Sequence, residues 1–319
     1  MLRRTLYSLA GLFLVANVVA FFHAWRFTHF TEPGGTRPTE NPEQLTTAQR
    51  LDVLLTGVHI PKPTNGPLPT YPVEVVTFAS ANGQLEAWYA LPAQGPQRGT
   101  VALFHGYTSN KSKLAAEGDY FRHLGYAVLL VDQSGNGNSA GTRTTVGHHE
   151  AADVVAAVAY LRGRNLAHPA DSLILYGVSM GAVAIMRAEA ELGVRPTANI
   201  LECPYGTMRQ TAYNRFNSMH VPPFPLADML VFWGGVQNNF WAFGLQGEEY
   251  ARRISTPTLL LWGTADPRVT RAETDTIFDH LAGPKQRRYF AGAGHEPYWH
   301  REPAAWQGVI GRFLQAPGQ

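Results

Sequence analysis

Ser172–Leu192 reads SLILYGVSMGAVAIMRAEAEL, and this stretch decides the fold. Its first part, Ser172–Tyr176, is a short apolar run with the character of a buried strand, and its last part, Met180–Leu192, reads as a helix. Between them, Gly177-Val178-Ser179-Met180-Gly181 is a G-x-S-x-G string in the context that gives it meaning, strand before and helix after. A chain that turns from strand to helix in one residue forces the serine into a strained backbone conformation. Side chains at the two glycine positions would collide with the neighbouring strand and helix. The hydroxyl then projects from the carboxyl edge of a sheet, above a helix N-terminus whose N–H groups favour negative charge. In a chain with 31 glycines the string alone is a weak signal; its context and two later segments strengthen it.

A serine hydroxyl needs a positioned base to act as a nucleophile, usually a histidine held by a carboxylate. Thr258–Trp262 reads as a buried strand that empties into Gly263-Thr264-Ala265-Asp266-Pro267, placing Asp266 at the strand's carboxyl end, where α/β proteins carry their chemistry. A helix-like stretch, Arg271–Leu281, and a short strand, Gln286–Phe290, lead to Gly292-Ala293-Gly294-His295. The order Ser179, Asp266, His295 is that of the α/β-hydrolase triad and differs from the chymotrypsin and subtilisin orders. There are competing readings. Asp266 before Pro267 also suits a turn, and most of twelve histidines must be structural. His148-His149-Glu150 lacks the i,i+4 spacing of a zinc helix.

An acyl transfer also needs donors waiting for the oxyanion. The backbone N–H of Met180, next after the nucleophile, is the first candidate. Thr100–Phe104 reads as an earlier central strand, and its loop, His105-Gly106-Tyr107, offers the N–H of Tyr107 as the second; Gly106 lets that backbone approach the serine. The alternative is an ordinary strand-to-helix turn.

These segments, with Asp132-Gln133-Ser134-Gly135-Asn136-Gly137-Asn138-Ser139, resemble the α/β-hydrolase superfamily. The pattern is most similar to its serine-aminopeptidase-like and bile-acid acyltransferase/thioesterase-like branch. The resemblance spans most of the chain from about Val73 onward. It implies an α/β-hydrolase fold, a mostly parallel central sheet flanked by helices, and a serine hydrolase with Ser179, Asp266 and His295 as catalytic residues and Tyr107 and Met180 at the oxyanion hole. No cofactor and no metal are implied. One departure is visible: the turn after the family's fourth strand usually reads Asp-x-Arg-Gly-x-Gly-x-Ser, and Ser134 stands where the Arg would be. That position is structural in the family, so the departure bears on loop packing and substrate-side contacts rather than on the triad.

The remaining sequence sets bounds. A chain of 319 residues can bury one substantial core. The net charge of +2 gives no reason to expect nucleic acid as a partner, and no phosphate-binding loop is present. Cys203 is the single cysteine, which excludes an intramolecular disulfide and a Cys-rich zinc site. From Leu6 to Trp25 no residue is charged, and about 20 helical residues reach across the roughly 30 Å hydrocarbon layer of a bilayer. A cleaved signal peptide is the competing reading, with Val18-Val19-Ala20 as the cleavage context, but signal cores are usually only about 7–15 residues long. Arg3 and Arg4 before the run favour the N-terminus inside and the catalytic part outside the cytoplasm.

The expected organisation is an anchor or signal at 1–30, a Pro- and Gly-rich tether and lead-in at 31–72 containing a short helix near Glu43–Leu55, and a hydrolase domain at 73–319. Asn82-Gly83 signals a hairpin between strands Val73–Phe78 and Leu85–Ala90. A helix is expected at Glu150–Leu161. The insertion 204–250 reads as a cap; its aromatic residues, among them Tyr205, Phe224, Trp233 and Trp241, either hold the cap together or favour a substrate with an apolar acyl or alcohol portion. The expected partners are a small-molecule ester or acyl substrate and the membrane. An anchor of this kind would supply location rather than chemistry, since every candidate catalytic segment follows Val73. A non-catalytic scaffold on a retained hydrolase fold is the rival from another class.

Overall fold

The computed structural model describes residues 2–31, 45–164 and 172–315. Residues 32–44, which hold part of the expected Pro- and Gly-rich tether and the start of the expected Glu43–Leu55 helix, lie outside the described residues. The chain divides into two compact units, one formed by residues up to Pro61 with Thr207–Leu245, the other by Lys62–Gly206 with Gln246 to the C-terminus.

The second unit is built on eight strands: β1 (Glu74–Ser80), β2 (Gly83–Ala90), β3 (Gly99–Phe104), β4 (Tyr126–Val131), β5 (Ser172–Val178), β6 (Ala198–Glu202), β7 (Thr258–Gly263) and β8 (Lys285–Phe290). They form one sheet in the order β1-β2-β4-β3-β5-β6-β7-β8. The β1–β2 and β2–β4 pairs are antiparallel and all the others are parallel. Burial follows from this placement. β3, β4, β6 and β7 are covered on both faces and are buried along their whole length, as parallel strands between helices must be. β1 alternates, and β8 exposes Arg287 and Arg288, charges that suit an edge strand. The β1–β2 turn sits one residue earlier than the sequence suggests. Ser80 pairs with Gly83, so Ala81-Asn82 make the turn, and the Asn82 side chain donates to His149 O and Asp153 Oδ1.

The helices of this unit are α3 (Ala115–His123), α4 (Glu150–Gly163), α5 (Met180–Leu192), α8 (Gly247–Ala251), α9 (Arg271–His280), α10 (Tyr298–Arg301) and α11 (Pro303–Phe313). Leu103, Leu130, Ile174, Tyr176 and Leu259 of the sheet share one core with Phe121 of α3 and with Trp306, Ile310 and Phe313 of α11.

The first unit is helical: α1 (Leu2–Thr28), α2 (Thr47–Thr56), α6 (Met208–Ser218) and α7 (Leu226–Gln237). α2 starts at a capping box in which Thr46 and Gln49 satisfy each other's backbone N–H groups. α6 starts at Thr207, whose side chain accepts from Gln210 N. Ala212, Ala227, Val231 and Ala242 form a small core, ringed by Met208, Tyr213, Phe216, Phe240 and Phe243.

Candidate active site

Ser179 joins β5 to α5 at φ 51° and ψ −109°, a strained backbone for a non-glycine residue. Neighbours over-determine it. Its N–H donates to Glu202 O at the end of β6 (2.8 Å), and its carbonyl accepts from Val183 N (3.1 Å). The flanking glycines are sterically required: a β-carbon at Gly177 would lie 2.6 Å from Ala182 N, and one at Gly181 would lie 2.3 Å from Phe104 O.

The three residues expected from the sequence meet here. His295 Nε2 is 2.9 Å from Ser179 Oγ, and His295 Nδ1 is 2.7 Å from Asp266 Oδ2. The loop after β7 aims the carboxyl group: Asp266 Oδ1 accepts from the backbone N–H groups of Arg268 (2.7 Å) and Val269 (3.0 Å). That leaves Oδ2 for His295 Nδ1–H and makes Nε2 the acceptor for the Ser179 hydroxyl. The Asp266 side chain is fully buried, while 13% of the His295 side chain is exposed, so the imidazole edge is accessible.

Cys203 Sγ lies close by; its ligand atom and those of Asp266 and His295 fall within 4.8 Å of one another. Burial, reinforced by the charge of Asp266, holds this thiol well above its ordinary pKa. A protonated thiol is a poor metal ligand and behaves as a small apolar filler, and both nitrogens of His295 already have partners. The donor set therefore fits a Ser–His–Asp relay better than a metal centre.

The loop after β3 passes over the serine. A β-carbon on Gly106 would be in van der Waals contact with Ser179 Cβ, at 3.6 Å, so Tyr107 follows directly after the closest approach to Ser179, and Met180 begins α5. Two struts hold this loop. His105 Nδ1–H donates to Gly106 O (2.8 Å), and its Nε2 accepts from Gln133 N (3.1 Å). The Gln133 side chain in turn donates to His105 O (2.6 Å). Burial pushes the His105 pKa down, keeping the ring neutral with one donor and one acceptor, as these bonds require. The His105-Gly106 pair was a legible signal; Gln133 stood only within the Asp132–Ser139 segment, with no role read for it.

Charged groups packed into the core brace the same edge. Asp132 accepts from Lys111 N (2.8 Å), Asn138 N (2.9 Å), Asn65 Nδ2 (2.7 Å) and the buried Lys111 ammonium. Ser134, at the family's Arg position, donates its N–H (2.8 Å) and hydroxyl (2.9 Å) to Asp153. Burial lifts Asp153 to about 6 despite these bonds. Ser134 thus serves loop packing. In His148-His149-Glu150, Glu150 spends its oxygens on Thr144 Oγ1, Thr145 N, Thr145 Oγ1 and Gly147 N, which makes it a loop brace. Behind the serine, Glu202 accepts from Trp306 Nε1 and Tyr298 N, and burial raises it to about 7. Glu117 in α3 is also buried, and desolvation with the nearby Glu202 raises it to about 8.

A mostly parallel sheet carrying a strand–serine–helix elbow at its carboxyl edge defines the class: the chain has the α/β-hydrolase fold. Residues 95–230 match the family described as serine aminopeptidase, S33. The chain is 23% identical over 232 residues to the uncharacterized protein YqkD of Bacillus subtilis (strain 168), covering 72% of this chain and 75% of that protein. A shorter stretch of 115 residues is 32% identical to the caffeoylshikimate esterase of Arabidopsis thaliana, covering 34% of this chain and 33% of that enzyme. Among solved structures, the Pyrococcus furiosus esterase Pf2001 superposes with a TM-score of 0.63 at 21% identity, over 80% of this chain and 98% of that one. At that identity the likeness speaks to the fold.

Proposed function

We propose that the chain is a serine hydrolase that cleaves carboxylic esters bearing an apolar acyl or alcohol portion. The observation that carries this reading is the unbroken relay from Ser179 Oγ through His295 to Asp266, at 2.9 and 2.7 Å. Ser179 attacks the ester carbonyl while His295 Nε2 takes the hydroxyl proton. Asp266 holds the imidazole in the required tautomer and stabilises the imidazolium. The Met180 and Tyr107 N–H groups receive the oxyanion. His295 then protonates the leaving alcohol, the acyl-enzyme forms, and water activated by His295 releases the acid.

The helix Leu2–Thr28 is the membrane anchor in this reading, with the catalytic unit outside the cytoplasm, as the Arg3-Arg4 bias favours. It is the one helix among the described residues with the length and apolarity of a span; a cleaved signal sequence, followed by secretion, would share those properties. The anchor, the lead-in and the 204–250 insertion serve location and substrate selection, and the apolar preference rests on the aromatic content of that insertion.

Aminoacyl amides belong beside esters in the test because the matched family is described as an aminopeptidase. The experiment is a kcat/KM panel of acyl esters of increasing chain length with thioesters, aminoacyl amides and acyl acceptors alongside. The expected result is preference for esters with a medium or long apolar portion. Faster cleavage of aminoacyl amides would replace this reading with a peptidase.

A further inference from the structure

We propose that α7 of the 204–250 insertion lies in the hydrocarbon layer of the membrane beside α1, so that the first unit is a lipid-embedded helical platform and α1 is more than a tether. This rests on the reading of α1 as a membrane span.

The contacts between the two helices carry the argument. Trp233 Nε1 donates to Asn17 Oδ1 (3.2 Å), and Gln237 Nε2 donates to Phe21 O (2.7 Å). The Phe21 and Trp233 rings meet edge to face at 5.1 Å. A β-carbon on Gly234 would lie 3.9 Å from Thr28 Cγ2. On α1, Ala20, Ala24 and Thr28 are buried at i, i+4, i+8, the small-residue seam by which helices approach closely in membranes. Asn17 is the one amide in an otherwise apolar stretch, and its partner sits on α7.

Length then forces the placement. Only Arg3–Val15 of α1 is exposed throughout, and 13 residues of helix reach roughly 20 Å, too short for the ~30 Å hydrocarbon layer. A span must use the charge-free run up to Trp25, which contains Asn17 and Phe21. Asn17 lies eight residues inside Trp25, about 12 Å deep from that end. A helix touching Asn17 and Phe21 shares that depth.

The outward side of α7 suits lipid. Helical geometry divides it into three rows. Ala227 and Val231 face the small core, and Trp233, Gly234 and Gln237 lie against α1. Met229, Phe232 and Val236 form the third row, in which Phe232 and Val236 are exposed to 42% and 49%. Phe224 and Trp241 flank it, exposed to 71% and 65%. Between His220 and Glu248 the one charged side chain is Asp228, on the flank away from α1, where Arg209 pairs with it at 2.7 Å and the Tyr213 hydroxyl donates to it at 2.9 Å. A row of exposed apolar side chains continuous with a spanning helix and free of unpaired charge matches the acyl region of a bilayer; water does not.

The test is depth-dependent quenching in the full chain reconstituted into phospholipid vesicles. The native chain is the blank, because its single cysteine, Cys203, is buried. An environment-sensitive fluorophore is placed at Leu12→Cys, Phe232→Cys, Val236→Cys and, on the second unit's exposed edge, Gln286→Cys. The expected result is loss of most fluorescence at positions 12, 232 and 236 with acyl-chain spin-labelled lipid and none with aqueous iodide, and the reverse at 286. Lipid quenching at 12 with iodide quenching at 232 and 236 would overturn the inference and leave the span intact. Iodide quenching at 12 as well would remove the span and the inference together. Shielding of 232 and 236 from both quenchers would show that a protein, such as a second copy, covers the row, and would also overturn it.

Discussion

The two units treat polar and apolar groups in opposite ways. The unit formed by Lys62–Gly206 and Gln246 onward buries Lys111, Asp132, Glu150, Asp153 and Glu202, although burying charge is unfavourable unless every group is paired. The unit formed by the N-terminal residues and Thr207–Leu245 exposes Phe224, Phe232, Val236, Trp241 and most of α1, although exposed apolar surface is unfavourable in water. Each anomaly marks a task. Buried, bonded charge in the first case fixes loops whose geometry must not drift: Asp132 and Glu150 each hold a loop at the carboxyl edge where Ser179 sits. Exposed apolar surface in the second case has a use only where the surroundings are not water.

The largest effects are expected inside the buried-charge unit. Ser179→Ala should lower kcat by about 10⁶, with His295→Ala equally damaging and the double variant little worse, since triad residues act as one unit. Circular dichroism should show each variant folded. Additive losses in the double variant would break the link between the two side chains. Asp266→Asn should cost on the order of 10⁴ in kcat by permitting the wrong imidazole tautomer, with KM changed far less.

An intermediate effect should separate the units. Deleting residues 2–29 removes the partner of Trp233 and Gln237 from α7. A simple tether would release a chain that needs no detergent. A shared membrane platform predicts that the shortened chain still floats with lipid vesicles and still hydrolyses a soluble ester. The smaller substitution Asn17→Leu should cost about 0.6 kcal/mol of helix–helix affinity, the average for one interhelical hydrogen bond in a membrane, measurable as easier thermal separation in detergent.

A separate effect concerns stability. Glu117 is raised from 4.5 to about 8 by burial and by Glu202. Between those values the folded chain holds a proton that the unfolded chain has lost, so stability is full at low pH and falls as pH rises through that window. Glu117→Gln should flatten this decline, matching the parent near pH 4 and exceeding its Tm near pH 9 by roughly 5 °C. A parallel pH dependence in both chains would show that Glu117 does not titrate in this way.

Much of the site was legible because the elbow imposes local rules. Glycines at 177 and 181, a strand before and a helix after are steric requirements that sequence records directly, and Asp266 and His295 each end a readable strand. Other parts had no local signature. Gln133 is a strut only because β4 lies beside β3, a pairing distant in sequence. The hairpin turn fell on Ala81-Asn82 because the Asn82 side chain is recruited by His149 and Asp153. The association of α1 with α7 joins segments some 200 residues apart, as in the Asn17–Trp233 bond, so the apolar run and the aromatic insertion read as separate features, an anchor and a cap. Hydrophobic pattern shows that a face must be covered; it does not say by what.

The proposed role of Ser179 as an activated nucleophile is open to covalent labelling. The intact protein is treated with a fluorophosphonate and the adduct is mapped by mass spectrometry. The predicted result is one modification, on Ser179, absent from Ser179→Ala and slowed by orders of magnitude in His295→Ala. A folded protein that takes no label, or takes it at another serine with Ser179 untouched, would contradict the claim.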